Sequence, residues 1–214
     1  MYVPKHFEQA EAEGLALIRA FPFAMLATPV ADGLPTISHI PLAFELSDDG
    51  RPTLIGHVAR ANPHARALEV AGPALAAFTS PDGYISPNWY PSKHAGGNAV
   101  PTWNYQAVHV IGQIRPLPDA AEKRRVVADL SRRMEGDGPG AWRLDDEPED
   151  YVRKMLGGIV AFAIDIARIE AKGKLSQNRS TEDRDAVIAS LRATGRPPDA
   201  ALAAAMADAA ERSS

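Results

Sequence analysis

Hydrophobic and polar positions alternate over several short stretches of the chain, and helical spacing takes over between and after them. Over 7–20, Leu15, Leu17 and Ile18 follow an acidic start, which predicts a helix ending before Pro22, because a residue preceding proline avoids helical torsions. Strands are predicted over 23–30, over a second run in which Ile40, Leu42, Phe44 and Leu46 share one side, and over 53–58 and 73–79. Asp32-Gly33 and Asp49-Gly50 are turn-forming pairs between the first three. A short helix carrying Ala67, Leu68 and Val70 follows the third strand.

The segment 81–101, dense in Pro, Gly, Ser and Asn, is predicted as a long irregular loop holding Tyr84, Trp89 and Tyr90. A long strand over 103–117 and an amphipathic helix over 119–134 come next, the helix with Val127, Leu130 and Met134 as its inner stripe. Residues 159–166 are almost uniformly apolar, as in a strand covered on both faces, with Asp165 the exception. Two helices, over 182–193 and 199–210, close the chain around Gly195-Arg196-Pro197-Pro198; the last is alanine-rich and is expected to fray or to dock on a partner. Strands in meander order with helices at the ends predict a mainly β, α+β fold, a small antiparallel barrel with C-terminal helices.

Composition narrows the chemistry. The 214 residues include no cysteine, which removes disulfides, thiolate nucleophiles and cysteine-bound metal. The N-terminal segment has neither the basic start nor the apolar run of a signal peptide, so a soluble, cytoplasmic protein with no membrane association is expected. A net charge of -4 argues against direct DNA binding, and the cationic group Lys123, Arg124, Arg125, Arg132 and Arg133 shares its helix with acidic residues. The six histidines show no metal-ligand spacing, and no nucleophile elbow, phosphate-binding loop or dinucleotide fingerprint is present.

Three segments could carry chemistry. In Gly56-His57-Val58-Ala59-Arg60-Ala61-Asn62-Pro63 a strand end, an arginine and an Asn-Pro helix start could together collect a phosphate; the alternative is a capped helix whose Arg60 faces water. Thr102-Trp103-Asn104-Tyr105 at a strand mouth suits a flat heteroaromatic ligand, or simply closes a barrel end. Lys172-Gly173-Lys174-Leu175-Ser176-Gln177-Asn178-Arg179, predicted as a loop after the last strand, could bind an anion or serve as an exposed connector.

Five segments in order, MYVPKHF at 1–7, GHVARANP at 56–63, YISPNWYPSK at 84–93, VPTWNYQAVHVIG at 100–112 and KLSQNR at 174–179, resemble the PaiB-like, FMN-binding negative transcriptional regulator family. The resemblance implies an FMN-binding split β-barrel over 1–180, with 181–214 a C-terminal helical extension packed on the same domain. It also implies a homodimer with FMN near the interface. His57, Val58, Ala59, Arg60 and Asn62 would cradle the phosphate and ribityl chain, with Lys93 as a further cation. Trp103, Asn104 and Tyr105 would lie near the isoalloxazine, and Lys174, Ser176 and Gln177 would approach from the partner subunit. Asn98 and Gly173 depart from the family pattern, which elsewhere has a basic and an aromatic residue there. Beside the regulator, the resemblance leaves room for an FMN-dependent oxidoreductase or flavin reductase using a nicotinamide donor, and for a haem-binding relative with no histidine nominated as ligand.

Overall fold

The computed structural model describes all residues except 31, 32, 48, 213 and 214, so the Asp32 part of the Asp32-Gly33 turn lies outside the described residues. The elements are α1 (Glu11–Ala20), β1 (Phe23–Thr28), β2 (Thr36–Pro41), β3 (Ala43–Leu46), β4 (Pro52–Ala59), α2 (Ala65–Leu68), β5 (Gly72–Thr79), β6 (Gly83–Ile85), α3 (Pro91–His94), β7 (Thr102–Leu117), α4 (Ala120–Glu135), α5 (Glu149–Gly157), β8 (Ile159–Lys174), α6 (Thr181–Ala193) and α7 (Pro197–Glu211). Single 3-10 turns occupy Lys5–Phe7, Pro87–Trp89 and Leu144–Asp146. The sheet order is β2-β1-β5-β7-β8-β4-β3, with β6 beside β7, and the described registers are antiparallel. This is the α+β split-barrel class that the family resemblance implies, and it agrees with the small antiparallel barrel predicted from the strand pattern. Among the described residues no helix is long and apolar enough to cross a membrane.

The chain forms two compact units: Met1–Leu17, Thr79–Val108 and Glu170–Ser214 make one, Ile18–Phe78 and His109–Ile169 the other. In the second unit the predicted strand through Leu42 is in fact two. Leu42 is fully buried and donates its N–H to Pro22 O (2.9 Å), so the chain leaves β2, which pairs with β1, and resumes as β3 against β4. The turn at Asp49-Gly50 is present, with Gly50 at φ 80°. Strands β7 and β8 approach so closely that a Cβ at Gly112 would lie 2.3 Å from the carbonyl oxygen of Asp165. Asp165, the polar intrusion in β8, is matched by Arg51 and Arg115 at 3.6 and 3.3 Å.

Helix α4 departs from its predicted stripe. Val126 and Leu130 are buried with Ala43, Ile55, Leu117, Ala161 and Ala163, whereas Val127 packs against Leu144, Val152 and Leu156, and Met134 is 61% exposed. The helix divides its apolar surface between the sheet and α5, which rotates the sheet-facing stripe away from the one read off the periodicity.

In the first unit, β6 pairs with the start of β7 (Gly83 with Asn104, Tyr84 with Trp103), and the segment predicted as irregular also contains a 3-10 turn and α3. β8 continues to Lys174, so Lys172, Gly173 and Lys174 are strand rather than loop. The N-terminal segment supplies the missing ladder partner: Gln9 donates its N–H to Ala171 O (3.2 Å), and Glu8 bridges Lys172. Helix α7 packs its apolar side within this unit. Leu202, Ala203 and Met206 are fully buried with Ile85, Tyr90, Leu175, Val187, Ile188 and Leu191. Gly195, at φ 70°, ends α6, and the buried Asp199 accepts hydrogen bonds from Thr194 and Arg196 to fix the corner.

Candidate functional site

The strand-to-helix segment of the second unit is more committed than its sequence suggests. Arg60 donates through Nε to Gly157 O (3.1 Å), through Nη2 to Ile159 O (3.2 Å) and through Nη1 to Glu69 (2.7 Å). Helix α2 is a single turn with His64, not Asn62, at its N-cap. Asn62 shapes the approach instead: its Oδ1 accepts the His64 N–H (2.9 Å), and its Nδ2 donates to Ser38 Oγ (3.2 Å). Val58 is buried and Ala59 exposed.

His64 is 1% exposed, with Nδ1 2.9 Å from Ser38 Oγ and Nε2 2.9 Å from Thr28 Oγ1. Burial pushes its pKa down, so the ring is neutral, with one nitrogen donating and the other accepting while the hydroxyls rotate to suit. No local sequence signal marks Thr28, Ser38 and His64, since they come together only through the fold. His57 is half-buried and its pKa is likewise lowered by burial; its Nδ1 is buried with no partner.

The first unit gathers most of the remaining candidates at the start of β7 and the end of β8. Asn104, 1% exposed, donates through Nδ2 to Ser176 Oγ (2.9 Å) and to Met206 Sδ (3.4 Å), while its Oδ1 is buried without a partner. Ser176 has φ 66°, a left-handed conformation that costs a non-glycine residue about 1–2 kcal/mol. Gln177 folds back on this turn, accepting from Leu175 N (2.7 Å) and donating to Gly173 O. A Cβ at Gly173 would lie 2.6 Å from the end of the Gln9 side chain, so a larger residue there requires that side chain to move. Trp103 is 54% exposed and meets Tyr84 edge-on at 6.2 Å. Lys93 lies on α3 and donates to Asn88 Oδ1 (2.7 Å).

Lys174 donates to Thr102 Oγ1, and its pKa is lowered, first by burial and then by Lys172 and Arg179, with Tyr105 opposing. The Lys172 ammonium lies 5.1 Å from the centroid of the Tyr105 ring and donates to Tyr2 O (3.2 Å). Arg179 stacks over Tyr90 at 4.6 Å. Among the described residues none of these three cations makes an ion pair. Arg179 also acts on the Asp183 carboxylate and helps lower its pKa, which leaves Lys172 and Lys174 as the uncompensated charges; these are stabilised by an anionic ligand, and the orphaned Asn104 Oδ1 is completed by an N–H donor. A flat ring with an N–H edge and a phosphorylated tail offers an N–H donor and negative charge in one molecule, as flavin mononucleotide does.

Comparison with known proteins agrees. Residues 1–168 match the family described as "Putative FMN-binding domain". The chain is 35% identical over 214 residues to the Protease synthase and sporulation protein PAI 2 of Bacillus subtilis, covering 97% of each. Its fold is similar to those of the FAD and Heme binding protein from Mycobacterium smegmatis (TM-score 0.60, 21% identity, 85% of this chain and 80% of that one) and of the flavocytochrome Anf3 from Azotobacter vinelandii (TM-score 0.59, 18% identity, 80% and 72%). The chain therefore belongs to the PaiB-like FMN-binding family, and FMN is its cofactor.

Proposed function

We propose that the chain acts in the cytoplasm as a homodimeric FMN-binding regulator whose output depends on the flavin or on a protein partner rather than on direct contact with DNA. The observation that carries the flavin assignment is the unpaired cations Lys172 and Lys174 together with the unmet Asn104 Oδ1. When bound, FMN supplies reversible electron transfer. In this reading Asn104 accepts a ring N–H, Trp103 and Tyr105 cover apolar surface, and Lys174 approaches from the partner subunit to hold negative charge on the ring or phosphate. Ser176 and Gln177 keep the turn that presents Lys174 in shape. His57, Val58, Ala59, Arg60 and Asn62 contact phosphate and ribityl groups, with Lys93 as a further cation; for Arg60 this requires exchanging Glu69 for the phosphate.

The charge pattern of α4 supports the absence of direct DNA reading. Arg124 pairs with Asp145 and Glu149, Arg125 with Glu45, and Arg132 and Arg133 with Asp129, so most of the helix's cations are already neutralised. Homodimerisation is supported by the outward face of β1 and β2, where Phe23 is 65% and Ile37 48% exposed beside Met25, with Phe23 stacked on His39. Apolar sheet surface of this kind is stabilised when a second copy covers it.

The unpaired cations also favour the negative charge of a reduced flavin ring, and so support a second reading, an FMN-dependent oxidoreductase taking electrons from a nicotinamide donor. An absorbance spectrum of protein mixed with FMN, a sedimentation run, and titration with NADH or NADPH test these readings. Flavin uptake by a dimer supports the first, and prompt bleaching by the nicotinamide moves the second ahead. A monomer that leaves FMN in solution overturns both.

A further inference from the structure

Within the second unit, a cavity of about 500 Å³ opens between the end of α1, the β2–β3 corner and the last turn of α4. That volume lies in the roughly 300–1,000 Å³ range of small-molecule sites. Its walls are mainly apolar, from Ile18, Pro22, Leu42, Phe44, Leu130 and Met134. The charged residues at its edge are unequal. Arg133 is engaged by Asp129 at 2.6 Å, and Glu135 accepts the N–H of Trp142 at 3.4 Å. Arg19 lies 5.4 Å from the centroid of the Phe44 ring and, among the described residues, has no ion pair or hydrogen-bonding partner. His57 contributes an imidazole edge to the wall.

We propose that this cavity binds a small monoanionic amphiphile, a carboxylic acid with an aromatic or short aliphatic body, whose carboxylate pairs with Arg19 while the body rests on Phe44, Leu42 and Leu130. A guanidinium placed over an aromatic ring, with no hydrogen-bonding partner of its own among the described residues, keeps its N–H donors available to a planar carboxylate. One uncommitted cation, with the Glu135 carboxylate on the same rim, matches a single negative charge better than a phosphate dianion. The proposal does not rest on the flavin assignment: Arg19 and Phe44 belong to neither group of flavin candidates, and His57 is the wall residue shared with them.

The test is calorimetry of the full chain with 4-phenylbutyrate and its neutral amide, each with and without saturating FMN. One saturable acid site, an amide about tenfold weaker, and a similar loss in Arg19→Gln with an unchanged melting temperature are the expected results. Met134→Trp, at an exposed position on the wall, should obstruct the cavity and weaken the heat signal. No saturable binding, equal affinity for acid and amide, wild-type affinity in Arg19→Gln, or displacement of the acid by FMN would each overturn the proposal. FMN uptake measured in the same samples reports on the flavin reading separately.

Discussion

Asn104 holds Ser176 in a left-handed backbone conformation through a 2.9 Å hydrogen bond to its hydroxyl, joining the first residues of β7 to the turn that follows β8. Both side chains are buried, so the bond is shielded from competing water. Replacing Asn104 with Ala removes the Ser176 partner and leaves its hydroxyl unpaired. The expected loss is about 1–3 kcal/mol in urea unfolding. A midpoint matching the wild type would show that the turn is held by Gln177 alone.

The His64 cluster makes stability acid-sensitive in a defined direction. The folded protein resists protonating His64 and His57, both shifted below 6.5 by burial, whereas the unfolded chain protonates them near that value. Between 6.5 and the lower folded pKa values the unfolded state binds more protons, so stability falls as pH drops through this window and levels off beneath it. Melting curves across the window should show the decline. In His64→Gln it should be shallower, on a lower baseline, because Thr28 and Ser38 lose a partner. Asp183 and Asp199 are shifted below 3.8, burial notwithstanding, by hydrogen bonds from Ser92 and from Thr194 and Arg196 respectively, and act at more acidic pH.

Arg60 and Glu69 pose a competition. If Arg60 grips the flavin phosphate it must leave Glu69, so Glu69→Gln should tighten FMN retention while Arg60→Ala weakens it, each by several-fold, as fits one charge-assisted contact. Equilibrium dialysis against FMN measures both. Unchanged retention in the two variants would assign Arg60 to holding the Gly157 and Ile159 carbonyls.

Met206 is fully buried on α7 and touches Asn104 through sulfur. Met206→Ala should cost about 2–5 kcal/mol, the usual penalty for truncating a large core side chain. Guanidinium unfolding reads this cost. If FMN uptake also weakens in the folded variant, the last helix supports the flavin residues as well as the core.

Much of the architecture is legible in local pattern. Strand β5 follows from alternating apolar positions, Gly50 closes its turn with positive φ, and a small antiparallel barrel with helices follows from strands in sequence, while its split-barrel form is what the family resemblance implies. The sequence also brings the aromatic-amide and cation-rich motifs forward as ligand candidates, and the structure places both in the first unit.

What periodicity leaves open is the identity of each neighbour. It says that α4 has an apolar face, yet α5 takes Val127 and solvent takes Met134. It marks α7 as weakly amphipathic, yet Leu202 and Met206 find a complete core. The chemistry of a strand-end arginine likewise depends on carbonyls at Gly157 and Ile159, nearly a hundred residues away. Residue type and spacing along the chain determine which groups seek burial or a hydrogen-bond partner. Only the tertiary structure decides which of them are already satisfied, because desolvation and pairing are properties of three-dimensional neighbours, and the groups left unmet, Asn104 Oδ1 and the free guanidinium of Arg19, are where a ligand has most to offer.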